Sequence, residues 1–264
     1  MTIAMTATPR LGDLLKMWRS RRRVSQLDLA SSAGVSTRHL SFVETGRAKP
    51  SREMVLHLAE HLDVPLRERN VLLTAAGFAP LYRESSLDAP ELASVRQAIE
   101  LILGNHAPHP ALVIDGAWNL IDANAGLGAL LPLIPAELLE PPMNVIRASL
   151  HPHGLARVIV NFDEYAAHVI ERLRRQFAAT SDRALGALLD EVCGYPDVAR
   201  AIGATPTLPP PAAVLPMHLR LDDGTDLRFF STMTVFGSPL DVTIADLAIE
   251  SFFPADAATA AYFG

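Results

Sequence analysis

The sequence is short of the features that mark several specialised protein classes. A single cysteine, Cys193, among 264 residues excludes an internal disulfide framework and any zinc or iron–sulfur site built from several cysteines. No apolar run approaches the roughly 20 residues that span a bilayer, and the start of the chain lacks the basic-then-apolar layout of a signal peptide. Apolar residues nevertheless make up 49% of the chain. We therefore expect a cytoplasmic protein with one large or two modest cores and no membrane partner.

Sequence patterns of catalysis, metal binding and nucleotide binding are also missing. There is no Gly-x-Ser-x-Gly elbow and no Gly-x-Gly-x-x-Gly phosphate loop. Two histidine pairs, His106 with His109 and His151 with His153, are each interrupted by proline, which breaks the i, i+4 spacing of helical metal sites. We expect no enzymatic activity, no metal and no cofactor.

Charge is distributed unevenly along the chain, although the net charge is −6. Up to Pro80 there are 12 Lys and Arg against 7 Asp and Glu, and after Pro80 there are 11 against 22. Phosphate affinity depends on local positive charge. A basic N-terminal part followed by an acidic remainder of the chain indicates a DNA-binding domain joined to a domain with another function.

The basic part predicts five consecutive short helices. Ser25, with Asp28 three residues later, is typical of an N-cap and opens a helix that ends near Gly34. Ser36 caps the next helix, which runs to about Glu44. Gly34 lies where the chain reverses between these helices, and glycine readily adopts the positive φ of such a turn. Two short helices joined in this way predict a helix-turn-helix.

Three segments carry a resemblance to the Cro/phage-repressor class of helix-turn-helix domains. They are Ser-Gln-Leu-Asp-Leu-Ala from residue 25, Ala-Gly-Val-Ser from residue 33, and Glu-x-Gly-Arg-x-x-Pro-Ser from residue 44. We expect Leu27, Ala30 and Ala33, or their neighbours, to face the core from the first helix of the pair. A partner of this domain is then a double-stranded DNA operator, read by the second helix in the major groove.

The side chains opposite the core anchors Leu40 and Val43 are the candidates for DNA contact. Arg38 suits bidentate bonding to guanine, worth about 1–3 kcal/mol of discrimination, and Phe42 suits a thymine methyl group. Each of these residues is alternatively part of an ordinary solvated helix face. The full set of DNA-binding candidates is Gln26, Ser36, Thr37, Arg38, His39, Ser41, Phe42, Arg47 and Lys49.

After residue 80 the pattern changes from helical to mixed. Residues 81–109 form a connector with a helix over 91–106, and residues 110–264 form the second domain. Short apolar runs predict a hairpin over 111–122, helices follow, and strands are predicted over 217–221, 227–236 and 241–253. A proline-rich break lies before the last three strands. The chain is therefore predicted to be multidomain, with an all-α five-helix domain over residues 1–80 followed by an α+β domain with one antiparallel sheet.

The second domain resembles that of the MmyB-like transcriptional regulators. The resemblance rests on Pro-Ala-Leu-Val-Ile-Asp from residue 110, Asn-Val-Ile-Arg from residue 144, Phe-Phe-Ser-Thr from residue 229 and Glu-Ser-Phe-Phe-Pro from residue 250. It implies a regulator of the XRE type, in which a Cro-type domain is joined to a PAS-like sensor domain. The sensor's pocket would hold a small hydrophobic ligand such as a fatty acid.

We expect such a ligand to lie between one sheet face and the covering helices. Arg147 is the first candidate for binding a carboxylate and Asn161 the second, although Arg147 is alternatively tied to Glu140 or another acid. Each apolar candidate is alternatively plain core. The ligand-binding candidates are Arg147, Asn161, Phe162, Tyr165, Val169, Phe229, Ser231 and Met233.

A single recognition helix reads few base pairs, so we expect a homodimer on paired half-sites. The connector helix and the sensor sheet are both candidate dimer surfaces.

Two alternative functions stay open. One is a constitutive DNA-binding protein whose second domain only mediates dimerisation or protein contacts. The other is an enzyme joined to a DNA-binding domain.

Overall fold

A computed structural model describes residues 9–203 and 216–264. The described chain divides into two compact units, the first formed chiefly by the residues up to Glu84 and the second chiefly by those from Ser85 onward. Within the described ranges, no helix is long and apolar enough to cross a membrane. The predicted proline-rich break lies, apart from Pro216, outside the described residues.

In the residues that the structure describes, five helices form the first unit, as the sequence predicted. They are α1 (Leu11–Arg21), α2 (Gln26–Ser32), α3 (Thr37–Glu44), α4 (Arg52–His61) and α5 (Leu66–Ala75). A serine side chain caps α2, α3 and α4, in each case accepting a hydrogen bond from the backbone N–H three residues on. At α2 the cap is a complete capping box, because the Asp28 carboxylate also accepts from the Ser25 backbone N–H at 3.3 Å.

The core of the first unit brings these helices together around Trp18 and Leu29, both fully buried. Helices α1 and α3 approach so closely at Gly12 that a Cβ there would lie 2.2 Å from the Glu44 carbonyl oxygen. Leu27 does not join this core. It is 65% exposed, because α2 turns the nearby Leu29 inward instead. The prediction was therefore wrong for Leu27 and is confirmed for Ala30 and Ala33, which are buried.

The second unit contains one five-stranded antiparallel sheet in the part of the chain that the structure describes. Its strands are β1 (Ala111–Ile114), β2 (Leu120–Ala123), β3 (Met217–Arg220), β4 (Asp226–Val235) and β5 (Ala248–Pro254). The strands lie in the order β2-β1-β5-β4-β3. The predicted α+β class with a single antiparallel sheet is therefore confirmed.

Helices precede, connect and follow the strands. They are α6 (Ala93–His106), α7 (Ala136–Leu139), α8 (Val145–Leu150), α9 (Phe162–Thr180), α10 (Arg183–Cys193), α11 (Pro196–Gly203), α12 (Val242–Asp246) and α13 (Ala257–Phe263), together with short 3-10 turns. The strand predicted over 241–253 was wrong in its first half. Residues 242–246 are helical there, and β5 begins only at Ala248.

The two faces of the sheet belong to different cores. On β1, Leu112 and Ile114 pack with residues of α8, α9 and α10 in the larger core. Ala111 and Val113 alternate with them and pack with α6 residues in a smaller one. Register carries this division to β5, where Glu250 lies opposite Leu112. Glu250 is therefore directed to the larger, apolar core.

Candidate functional site

Helix α3 presents the predicted DNA-contacting side chains on one side. Leu40 and Val43 are buried against the other helices, as expected, while Arg38 is exposed and Thr37, Ser41 and Phe42 are half-buried. His39 is also half-buried. The Ser36 hydroxyl oxygen caps the helix by accepting from the His39 backbone N–H at 3.1 Å.

Arg38 and Phe42 lie one helical turn apart and contact each other. The Arg38 guanidinium carbon lies 5.4 Å from the centre of the Phe42 ring, a cation–π distance. The ring thus limits the rotamers of a long side chain that would otherwise move freely. An arginine held over an aromatic ring is better oriented for bidentate contact with a base edge.

Arg47 and Lys49 follow α3 in an exposed loop that is anchored to the helix end. The backbone N–H groups of Arg47 and Ala48 donate to the Phe42 carbonyl oxygen at 2.8 and 3.1 Å. Both basic side chains are exposed. This position beside the recognition helix suits contact with phosphate, which fixes register without reading sequence.

Sequence reasoning missed a buried polar cluster behind α3. The Glu44 carboxylate, 1% exposed, accepts from the Arg19 Nε at 2.9 Å and from its Nη2 at 3.2 Å. Gln26 Nε2 donates to the same carboxylate at 2.9 Å. Gln26, predicted to meet the DNA backbone, is thus half-buried and hydrogen-bonded within the unit. No local pattern signals this cluster, since the sequence shows Arg19 only as the first of four arginines in a basic run over residues 19–23.

Arg22, from the same basic run, also has a structural role. Its Nε donates to the Leu62 carbonyl oxygen at 2.9 Å and its Nη2 to that of Asp63 at 2.7 Å. These are acceptors at the end of α4 that the helix itself leaves unbonded. Arg21 and Arg23 are exposed, so their side chains are open to contact with phosphate.

In the second unit, most of the predicted ligand-binding residues lie together. Phe162 and Val169 on α9 and Phe229 on β4 belong to the larger core, and Tyr165 and Met233 pack against it. Phe229 is fully buried between the edges of Phe252 and Phe263. Helix α9 and one face of β4 therefore meet, as the sequence predicted for a sheet face covered by helices.

The polar members of this face surround a buried carboxyl group. Ser231 donates from its hydroxyl to Glu250 Oε1 at 2.7 Å, and Met233 lies opposite Glu250 across the strands. Burial raises the pKa of Glu250, opposed by the Ser231 hydrogen bond and by the charge of Arg172. Burial, helped by the Glu250 charge, raises the pKa of Tyr165 to about 12.

Arg172 on α9 is the cation of this group, and sequence reasoning missed it. Its Nη1 lies 3.8 Å from Glu250 Oε1, and its guanidinium carbon lies 4.6 Å from the centre of the Trp118 ring. Trp118 is itself fixed by donation from its Nε1 to Gln176 at 2.7 Å. Arg172 makes no hydrogen bond to any described residue, so its donors are available to a ligand.

The two polar residues predicted to bind a carboxylate have protein partners. Arg147 donates two hydrogen bonds to the Glu191 carboxylate, at 2.7 and 2.8 Å, in a pair about 40% exposed. This pairing raises the pKa of Arg147 and lowers that of Glu191. Asn161 donates to the Pro216 carbonyl oxygen at 2.8 Å and accepts from the His218 N–H at 3.1 Å. Arg147 thus pairs with an acid, as the alternative interpretation of the sequence allowed, and that acid is Glu191 rather than Glu140. Asn161 connects the start of α9 to β3.

A cleft of about 400 Å³ lies elsewhere on the second unit and is wide open to solvent. Its lining includes none of the predicted ligand-binding residues; it consists of Pro132, Ile134, Pro135, Pro152, His153 and Arg157. Arg157 donates to the Leu133 carbonyl oxygen at 3.1 Å. The cleft is a second place where a small molecule would meet an arginine.

Comparison with protein families identifies both units. Residues 10–72 match a helix-turn-helix domain. Residues 95–263, more than half of the chain, match the MmyB-like transcription regulator ligand binding domain. The chain belongs to the MmyB-like transcription regulators. No curated protein matches it.

This MmyB-like chain is therefore a DNA-binding transcription regulator with a ligand-sensing domain. Helix α3 lies within the helix-turn-helix match, and Tyr165, Arg172, Ser231 and Glu250 lie within the ligand-binding match. These two groups of residues are the candidate sites for the two activities.

Proposed function

We propose that the protein binds operator DNA as a homodimer in the cytoplasm and that a small hydrophobic ligand, such as a fatty acid, alters this binding. The proposal involves no catalysis and no further cofactor. A dimer presents two α3 helices to half-sites one turn apart, which a single recognition helix cannot do. Ligand control then requires that the ligand bind the DNA-competent and DNA-incompetent states with different affinities.

On the DNA side, the proposal rests on the Arg38–Phe42 contact on the open side of α3. Arg38, with Thr37, Ser41 and Phe42, would meet base edges, whereas Arg47 and Lys49 would meet phosphates. His39 and Ser36 lie at the margin of this surface. Gln26 would contact the DNA backbone only if it released Glu44 or used its carbonyl oxygen.

The experiment compares Arg38→Ala with Lys49→Ala on an operator selected by the wild-type protein from random DNA. Arg38→Ala should lose about 1–3 kcal/mol on the selected sequence and little on unrelated DNA. Lys49→Ala should weaken both alike and reduce the salt slope by about one. Equal losses on both DNAs for both variants would refute the assignment of Arg38 to base recognition.

On the ligand side, the observation that carries the proposal is the unbonded, partly buried guanidinium of Arg172. It lies beside a polar group formed by Tyr165, Ser231 and Glu250. A buried donor without a protein acceptor is costly unless solvent or a ligand provides one. We propose that this guanidinium receives the ligand's head and that the apolar residues of α9 and β4 contact its chain.

Mass spectrometry of the purified protein, native and after denaturation with organic extraction, tests for such a ligand. We expect an apolar acid released only on denaturation, and a binding loss in Arg172→Gln that exceeds the loss in Arg157→Gln, the matched arginine at the open cleft. A larger loss of binding in Arg157→Gln than in Arg172→Gln would mean that the ligand binds at the open cleft instead. A ligand-free mass, with no thermal shift on adding fatty acids, would favour the alternative function, a constitutive DNA-binding protein whose second domain binds no ligand. The burial of Phe162, Val169 and Phe229 in one core is also consistent with that alternative.

A further inference from the structure

The polar group on the sheet face contains two opposite charges that meet without a hydrogen bond. Arg172 Nη1 and Glu250 Oε1 are 3.8 Å apart, and their side chains are 29% and 12% exposed. An ion pair between unconstrained side chains closes to about 2.8 Å. Here the Trp118 ring holds the guanidinium on one side and Ser231 holds the carboxyl group on the other.

This separation allows one polar atom of a ligand to contact both side chains. One oxygen atom about 2.8 Å from each of them is geometrically allowed, because 3.8 Å is less than two hydrogen-bond lengths. The guanidinium has free donors, and Glu250 Oε1, although it already accepts from Ser231, has a second lone pair. A head group that reaches Arg172 therefore also comes close to Glu250.

The neighbours of Glu250 define the charge that this position tolerates. Helix α9 contributes Arg172 and the Tyr165 hydroxyl group, β4 contributes Ser231, and β1 places Leu112 opposite. Burial, with the charges of Arg172 and Arg175, lowers the pKa of His168 on the same helix and so favours its neutral form. When Glu250 is ionised, its carboxylate balances the Arg172 cation, and a bound anion would then leave an uncompensated negative charge.

Two carboxyl groups at hydrogen-bond distance in an apolar surrounding do not both stay ionised, and such a pair shares one proton. We propose that Arg172 and Glu250 form a head-group site that binds a carboxylic acid together with one proton. The proton comes from solvent and lies between the ligand carboxyl group and Glu250, while Arg172 compensates the remaining negative charge. This inference rests on the proposed ligand-sensing function and makes acid binding depend on pH.

The raised pKa of Glu250 agrees with this assignment, since burial makes this carboxyl group take up a proton more readily than an ordinary one. Free fatty acids have an ordinary carboxyl pKa of about 4–5 and stay ionised above pH 6. Any change of their affinity above that pH therefore reports on the protein. Affinity falls as the pH rises through the pKa of Glu250 in the ligand-free protein.

The experiment measures binding of decanoate and of 1-decanol to the full chain between pH 6 and 9 by displacement of a fluorescent acyl probe. For the wild type, decanoate affinity should fall by up to tenfold per pH unit where the pH exceeds the pKa of Glu250 in the ligand-free protein, as expected for one linked proton, and decanol affinity should stay constant. In Glu250→Gln, decanoate affinity should become independent of pH. In Arg172→Gln, decanoate should lose more affinity than decanol.

Three results would overturn the inference. If decanoate binds the wild type with the same affinity at every pH, or if its pH dependence persists in Glu250→Gln, no proton is shared with Glu250 although the ligand function stands. If neither probe binds at any pH, the proposed ligand function fails together with the inference. Should Glu250→Gln not fold, calorimetry of wild-type decanoate binding in two buffers of different ionisation enthalpy counts the protons directly, and an uptake of zero from pH 6 to 9 is equally decisive.

Discussion

Replacing Arg19 by leucine tests how the buried ion pair supports the recognition helix. Arg19 on α1 donates two hydrogen bonds to Glu44, the last residue of α3, and one to the Val24 carbonyl oxygen at 3.1 Å. Glu44 is buried and is also held by Gln26 at the start of α2. One carboxylate thus joins α1, α2 and α3 of the helix-turn-helix unit.

The magnitude follows from what each substitution leaves buried. Arg19→Leu leaves an ionised carboxylate 1% exposed with a single neutral donor, and the free energy of unfolding should fall by about 3–5 kcal/mol. Glu44→Gln leaves a guanidinium that is 19% exposed and still bonded to Val24, so its cost should be about 1–3 kcal/mol. The double variant Arg19→Leu/Glu44→Leu leaves no buried charge and should be more stable than Arg19→Leu alone.

The assay uses the two tryptophans of the chain. Trp18 is fully buried in the first unit, while Trp118 lies in the second. In a Trp118→Phe background, urea unfolding followed by tryptophan fluorescence reports on the helix-turn-helix unit within the full chain. Ser31→Ala, at an exposed position of α2, is the control and should change the free energy by no more than about 0.5 kcal/mol.

Two results would refute the reasoning. A loss below about 1 kcal/mol for Arg19→Leu would mean that Glu44 reaches solvent or is protonated at little cost. Additive losses in the double variant would mean that the two side chains act independently. Operator affinity measured under conditions where each variant remains folded would show separately whether the ion pair also orients α3.

Further predictions concern one close helix contact and one buried acid. Gly12→Ala should destabilise the first unit by about 1–3 kcal/mol, because its Cβ would meet the Glu44 carbonyl oxygen at 2.2 Å. Gly104→Ala places its Cβ with no atom within 4 Å, so the free energy of unfolding should instead rise by about 0.5–1 kcal/mol. Equal effects of the two substitutions in urea unfolding would contradict the packing argument. Burial raises the pKa of Glu250 in the folded state, so its protonated form contributes stability below the ordinary carboxyl pKa, and this contribution is lost as the pH rises through the raised value. The melting temperature of Glu250→Gln relative to that of the wild type should therefore be higher at pH 8 than at pH 5, and an equal difference at both pH values would be inconsistent with the raised pKa.

Features encoded locally were predictable from the sequence. The capping box of Ser25 and Asp28, the cap at Ser36 and the turn at Gly34 each depend on residues within a few positions of one another. The class of both units, five helices and then an α+β unit with one antiparallel sheet, followed from apolar periodicity. The helix over 242–246 was missed, because a short apolar stretch beside a strand carries no period of its own.

The sequence by itself determined that the chain joins a basic helix-turn-helix to a mixed second domain, and it brought Tyr165, Ser231 and Met233 onto the list of ligand candidates. Only the tertiary structure decided which charged residues meet. Arg147 is bonded to Glu191, whereas Arg172, which no local pattern distinguishes from its neighbours on α9, lies unbonded beside Glu250. Likewise Arg19, one of four arginines within residues 19–23, forms an ion pair with the buried Glu44. The physical reason is that a charged side chain takes its role from the partner and the burial that packing gives it, and both come from distant parts of the chain.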